Sequence, residues 1–267
     1  MNAERTLIVG NWKMHLNVQQ ASLLVNRLNK QIKPLRTVEV VLAPSLLALQ
    51  PVSLEVDRRK FRLAAQNAFY KDEGAYTGEV SFTMLREIAH YVIVGHSERR
   101  IYFEETLEIV RDKVAAAVRN ELTPILCVGE TKHEREAGET RRVIHDQIAT
   151  ALSNLTPEEV EGIVIAYEPI WAISTFGGEL AKPDEIEKEF ERIRAEISEL
   201  YGMKAADSVR LLYGGSVNAD TAAGYLAAKG CDGLLVGAAS LNYKQFGGIV
   251  DSAYKASHQP EKDHDEK

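Results

Sequence analysis

The chain has only two cysteines, Cys127 and Cys231, in 267 residues. That excludes a disulfide framework, and neither belongs to a metal-ligand pattern. Both fall in apolar, strand-like runs, as packed thiols in a reducing cytoplasm do. No apolar stretch is long enough to span a bilayer. The opening "MNAERTLIVGNW" lacks a secretory h-region and cleavage site. A cytoplasmic protein with no membrane partner is expected. Positive charge is scarce: 32 Lys and Arg against 39 Asp and Glu leave a net charge of −7. That argues against a nucleic-acid partner, but not against a small anionic ligand, since a site is local. No H-x-x-x-H spacing or Ser/His/Asp constellation is evident, so neither a metal nor another cofactor is expected.

What is present is a repeated unit. Eight short runs rich in β-branched residues recur: 6–11, 39–44, 62–67, 91–96, 124–129, 162–168, 209–215 and 231–237. Most are apolar throughout, as parallel strands covered on both faces should be. Between them the apolar spacing becomes helical. Ile186, Phe190, Ile193, Ile197 and Leu200 form one face behind Pro183, which suits a first helical position. Leu107, Val110, Val114 and Ala117 form another. Eight strand-then-helix units fit a closed (β/α)8 barrel, for which about 250 residues is typical. An open doubly wound sheet is the alternative, but it would normally carry a G-x-G-x-x-G turn after an early strand. We read residues 1–256 as one α/β catalytic domain, and "SHQPEKDHDEK" (257–267) as a disordered charged tail.

A barrel of this kind works at the C-terminal ends of its strands. The first run ends in Asn11 and Lys13. Side chains two apart in a strand share a face, so this pair should project together. The fourth run ends in His96, followed by Ser97-Glu98-Arg99-Arg100. The sixth ends in Glu168, the seventh in Gly214-Gly215-Ser216, and the eighth in Gly237-Ala238. Singly, each has an ordinary structural reading: a packed histidine, a surface glutamate, a turn. Together at one rim they supply a base, an electrophile or acid, a fixed cation and accessible backbone N–H groups. Phosphate sites in barrels favour the seventh and eighth strand ends. The combination suggests proton abstraction beside a carbonyl in a phosphorylated sugar.

The segments "GNWKM", "AQN", "GAYTGEVS", "VIVGHSERR", "CVGE", "AYEPIWAI", "LYGGSVN" and "LLVGAASL" occur in order over residues 7 to 254. Together they resemble the triosephosphate isomerase family, whose fold is the TIM barrel. The resemblance implies a cofactor-free isomerase joining dihydroxyacetone phosphate and glyceraldehyde 3-phosphate through an enediolate. It implies Glu168 as general base and His96 as neutral electrophile, facing a helix N-terminus at Ser97-Glu98. Lys13 supplies positive charge, Asn11 a polar contact, and Glu98 a hydrogen bond that holds the geometry. Residues 171–180 become a lid, and the N–H groups of Ser174, Ser216, Gly237 and Ala238 the phosphate donors. Residues 69–81 become a loop reaching a second subunit, with Thr77 bracing that subunit's lysine and asparagine in a homodimer. Cys127 is read as a packed thiol, not a nucleophile.

The chain also departs from the family pattern. Ser174-Thr175-Phe176-Gly177 stands where Gly-Thr-Gly-Lys is usual, and Gly237-Ala238 where Gly-Gly is usual. Two glycines at 177 and 178 suggest a loose lid, open without ligand, for which restoring the usual residues lowers KM. The altered lid also motivates one competing reading, a paralogous isomerase of tetrulose phosphates. A non-catalytic phosphosugar-binding regulator is another, though a binder needs neither Glu168 nor His96. A tryptophan-pathway barrel is not expected to carry "GHSERR".

Overall fold

The computed structural model describes residues 5–258, so most of the expected tail, 259–267, lies outside the described residues. Eight parallel strands close into a barrel in sequence order. They are β1 (Thr6–Asn11), β2 (Val38–Ala43), β3 (Phe61–Ala65), β4 (Tyr91–Val94), β5 (Thr123–Val128), β6 (Val164–Tyr167), β7 (Arg210–Tyr213) and β8 (Gly233–Val236). Closure comes from β1 pairing with both β2 and β8. The chain is a single-domain (β/α)8 TIM barrel, whose last helix is Tyr243–Ala256.

The continuous apolar runs have a direct cause. Alternate residues such as Leu7, Val9, Val41, Ile93, Ile125 and Val164 fill the barrel interior. Their neighbours, Ile8, Val40, Val92 and Ile165, join the layer shared with the helices. Both faces are buried, so both must be apolar. Cys127 belongs to the inner layer, whereas Cys231 precedes β8 and is only half-buried, so it does not lie in a strand as the run suggested.

The long helix Pro183–Tyr201 starts on its proline and buries Ile186, Phe190, Ile193 and Ile197. Leu200, expected on that face, is 41 % exposed, because the helix is in its last turn there. Truncating a fully buried aromatic such as Phe190 costs ~3–5 kcal/mol. In the helix Leu107–Arg119, Thr106 caps by accepting from the Ile109 N–H, and Val110, Val114 and Ala117 are buried. At the N-terminal end of the barrel, Arg210 bonds Glu39 and Tyr91 Oη, tying β7 to β2 and β4. No helix among the described residues is long and apolar enough to cross a membrane.

Candidate active site

At the C-terminal end of the strands is a cavity of about 340 Å³, lined by Asn11, Lys13, His96, Glu168, Ser174, Ser216, Gly237 and Ala238 among others. Glu98 lies just outside, in an adjoining cavity, but its Oε1 accepts a 2.6 Å bond from Lys13 Nζ. Thr77 is exposed on the 69–81 loop and lines neither cavity.

Lys13 reaches the site by a route that strand alternation does not describe. β1 stops at Asn11, and Lys13 sits in the left-handed region with φ 53°. Such a backbone costs a side-chain-bearing residue energy. Two contacts hold it: the Lys13 N–H donates to Asn11 Oδ1 at 3.0 Å, and Gln66 Nε2 donates to the Lys13 carbonyl at 2.9 Å. Asn11 and Lys13 therefore converge through a turn, not through a shared strand face. Gln66, within "AQN", is a supporting residue to which sequence alone assigns no role. Its position one residue past β3 was the available signal.

His96 caps the six-residue helix Ser97–Tyr102. Its Nδ1 accepts from the Glu98 N–H at 3.2 Å. A nitrogen that accepts cannot also carry a proton, so the ring proton sits on Nε2. Nε2 faces Glu168 Oε1 at 3.3 Å across the cavity. Glu98 Oε2 stands 3.8 Å from Nδ1, too far for a hydrogen bond. Burial works to raise the Glu98 carboxyl, but the hydrogen bond and charge of Lys13 outweigh it and hold it below its usual range. Arg100 fastens this corner, donating to the carbonyls of Gly95 and Cys127 and so bridging the ends of β4 and β5.

Glu168 is 2 % exposed. Its N–H continues the strand ladder to Val128 O, and its Oε2 is buried with no hydrogen-bond partner. Cys127 lies against Glu168. Burial first, then the Glu168 charge, push its thiol well above its ordinary range. Such a thiol is a poor nucleophile.

The two lid glycines belong to a shaped turn, not a loose hinge. Ile173 O accepts from the N–H groups of Phe176 and Gly178, closing a tight turn. The positive φ values fall on Gly177 and Gly178, so these glycines are required by the turn; Ser174, Phe176 and Ala238 are outside that region. The tip is engaged at the cavity: Ser174 Oγ is 3.0 Å from Ser216 Oγ, and Thr175 Oγ1 donates to Glu98 Oε1 at 3.2 Å. The Ser216 N–H donates to Ala172 O at 3.0 Å, so it is not free for an anion as expected. Gly237 and Ala238 open the 3₁₀ turn Ala238–Leu241, whose leading N–H groups have no acceptor within the turn.

The lid's first hinge rests on Glu130, within "CVGE", a residue for which sequence alone suggests no role. It is fully buried and accepts from Trp171 Nε1 at 3.0 Å and Tyr167 Oη at 3.2 Å. Burial raises its carboxyl above the usual range. Only a buried partner for an indole N–H would have revealed it, and sequence spacing does not encode that. No group of three or more His, Cys, Asp or Glu among the described residues is arranged to hold a metal.

A family model described as triosephosphate isomerase matches residues 6–253. The triosephosphate isomerase of Caldanaerobacter subterraneus subsp. tengcongensis is 44 % identical over 248 residues, covering 92 % of this chain and 99 % of that protein. That of Clostridium perfringens is 45 % identical over 246 residues, covering 92 % and 98 %. That of Geotalea uraniireducens is 42 % identical over 247 residues, covering 92 % and 98 %.

Proposed function

This chain belongs to the triosephosphate isomerase family and interconverts dihydroxyacetone phosphate and glyceraldehyde 3-phosphate; we propose that it does so by proton transfer through an enediolate, with Glu168 as base. The observation that carries the proposal is the approach of Glu168 Oε1 to the protonated Nε2 of His96. A base and a hydrogen-bond donor face each other in one cavity.

Glu168 takes the proton from the carbon beside the carbonyl. The C–H electron pair becomes the C=C bond, and the carbonyl π pair moves onto oxygen. His96 Nε2–H donates to that oxygen, and the hydroxyl proton passes between the two oxygens by way of the imidazole. Glu168 then returns its proton to the neighbouring carbon. A neutral imidazole suits this step because its acidity is near that of an enediol, and the family is the standard illustration of such tuning. Lys13 opposes the growing negative charge where little water screens it. Asn11 fixes Lys13 and offers a polar contact, while Glu98 orients the ammonium. The N–H groups of Gly237 and Ala238 grip the phosphate, joined by Ser174 and, once it leaves Ala172 O, by Ser216. Base, donor and cation are all side chains, so no cofactor is invoked. The lid excludes water, which otherwise favours loss of phosphate from the enediolate.

The assembly we propose is a homodimer in the cytoplasm. The 69–81 loop is pinched at its base by the Phe69 N–H bond to Val80 O, and it presents Thr77 outward. Beside the active site is a second cavity of about 350 Å³, lined by Asn11, Lys13, Met14, Gln66, Glu98 and Phe103. Met14 is 94 % and Phe103 63 % exposed there, an apolar surface that a second copy's Thr77 loop would cover. The two free thiols fit a reducing compartment.

A coupled assay with glyceraldehyde 3-phosphate against tetrulose phosphates, in deuterated water, tests the mechanism. Turnover of the triose with deuterium entering the carbon beside the carbonyl is expected. Isomerisation without solvent exchange, retained when Glu168 is changed to Gln, overturns the enediolate route through this base. Preference for the four-carbon substrate overturns the substrate assignment.

A further inference from the structure

Three successive residues at the lid tip meet partners on two separate elements. Ser174 meets Ser216, and Thr175 meets Glu98. The Phe176 ring lies 5.8 Å from the Tyr102 ring, centroid to centroid, with the planes 31° apart. Tyr102 is the last residue of the helix Ser97–Tyr102, which also carries Glu98 and is capped by His96. The lid thus rests on both ends of the helix that presents the electrophile.

We propose that Phe176 and Tyr102 form an aromatic latch that holds the lid against this helix before substrate arrives, and that the pair sets KM without altering the proton-transfer step. The spacing is that of attractive ring pairs, which gain beyond simple burial. The hydroxyl contacts on either side are exposed, so water competes with them on nearly equal terms. Water does not compete for a ring face in the same way. The turn beneath the tip is already shaped, with Ile173 O holding the N–H groups of Phe176 and Gly178. What remains is to keep this shaped turn against the barrel. A latch that does so before binding reduces the ordering cost that ligand binding must otherwise meet. Neither ring touches the reacting atoms, so both are positioning residues. The KM consequence rests on the isomerase reading above, whereas the lid's resting position does not.

The test uses the full-length protein, its Tyr102→Ala, Phe176→Ala and double variants, and Tyr102→Phe. Hydrogen exchange at amides 174–178 is measured without ligand, and KM, kcat and the pH profile of kcat with the triose phosphate. In Tyr102→Ala, lid exchange should quicken several-fold while amides 97–102 keep their rates. KM should rise about two- to tenfold, the range set by the worth of a ring pair, with kcat and its pH profile unchanged. The double variant should be no worse than either single one, and Tyr102→Phe should behave as wild type. Unchanged lid exchange overturns the latch. So do KM effects that multiply in the double variant, and so does quickened exchange throughout 97–102, which would make Tyr102 a helix-stability residue. Loss of isomerisation by the wild-type protein would sink the isomerase reading alone, since exchange still reports the lid.

Discussion

Gly214 faces Glu168 so closely that a β-carbon on Gly214 would stand 2.6 Å from Glu168 Cγ. The glycine at the end of β7 therefore makes the space in which the base lies. Gly214→Ala forces the carboxylate aside, and misplacement by about 1 Å can cost ~10²-fold in rate. We expect kcat to fall by about that factor with the unfolding midpoint nearly kept. Wild-type kcat in this variant would show that the carboxylate has room the structure does not reveal.

Glu168→Asp should act on the same coordinate from the other side. Removing one methylene withdraws the carboxylate from the cavity while preserving its charge. Turnover should drop ~10²-fold or more, with inorganic phosphate binding little changed. Isomerisation at the wild-type rate would mean that another group is the base.

Lys13→Ala removes the cation opposite the developing oxyanion. Loss of one such group in a dry site costs ~10²–10³-fold in kcat. It also strips Glu98 of its 2.6 Å partner, leaving Thr175 as its lid-side donor. Steady-state kinetics separate two roles. A fall in kcat places Lys13 in the transition state, and a raised KM with kcat intact makes it a ground-state binding group.

Most of the fold could be read because burial on both faces leaves a strong mark: eight apolar runs, each followed by a helical pattern. Within the site, residues at strand ends, such as His96 and Glu168, could be placed from topology alone. Three features could not. Lys13 arrives through a positive φ, which side-chain alternation does not predict. Gln66 and Glu130 act on a backbone carbonyl and an indole N–H far away in sequence, and long-range polar partners leave no periodicity. In the lid, a glycine pair reads as freedom from sequence alone, whereas Gly177 and Gly178 hold φ 149° and 66° in the turn they complete.

Cys127 offers a test of burial near the base. Its thiol is raised in the folded protein by burial and then by Glu168, while an unfolded cysteine titrates near about 8.5. Above that pH the unfolded chain releases a proton that the native chain keeps, so stability should decline as pH rises. The decline between about pH 8.5 and 10 should be shallower in Cys127→Ala, measured by denaturant midpoints. Iodoacetamide at about pH 8 should alkylate Cys127 only after unfolding. Rapid labelling of the native protein at Cys127 would contradict the buried, raised thiol.

Replacing Ser174–Gly177 by Gly-Thr-Gly-Lys restores the usual family residues, and reasoning from chain entropy alone expects a lower KM. The contacts reverse that sign. The swap deletes Ser174 Oγ, which meets Ser216 Oγ, and the Phe176 ring, which meets Tyr102. It also removes Gly177 from a position at φ 149°, where a lysine is strained. Only the Thr175 bond to Glu98 survives. The lid should then leave its resting place more often, and each binding event must order it again. KM should rise several-fold while the solvent-exchange pattern of the proton transfer stays the same. A lower KM would mean that the engaged tip hinders substrate entry more than it helps retention, and Ser174 and Phe176 would then act as an obstruction at the cavity.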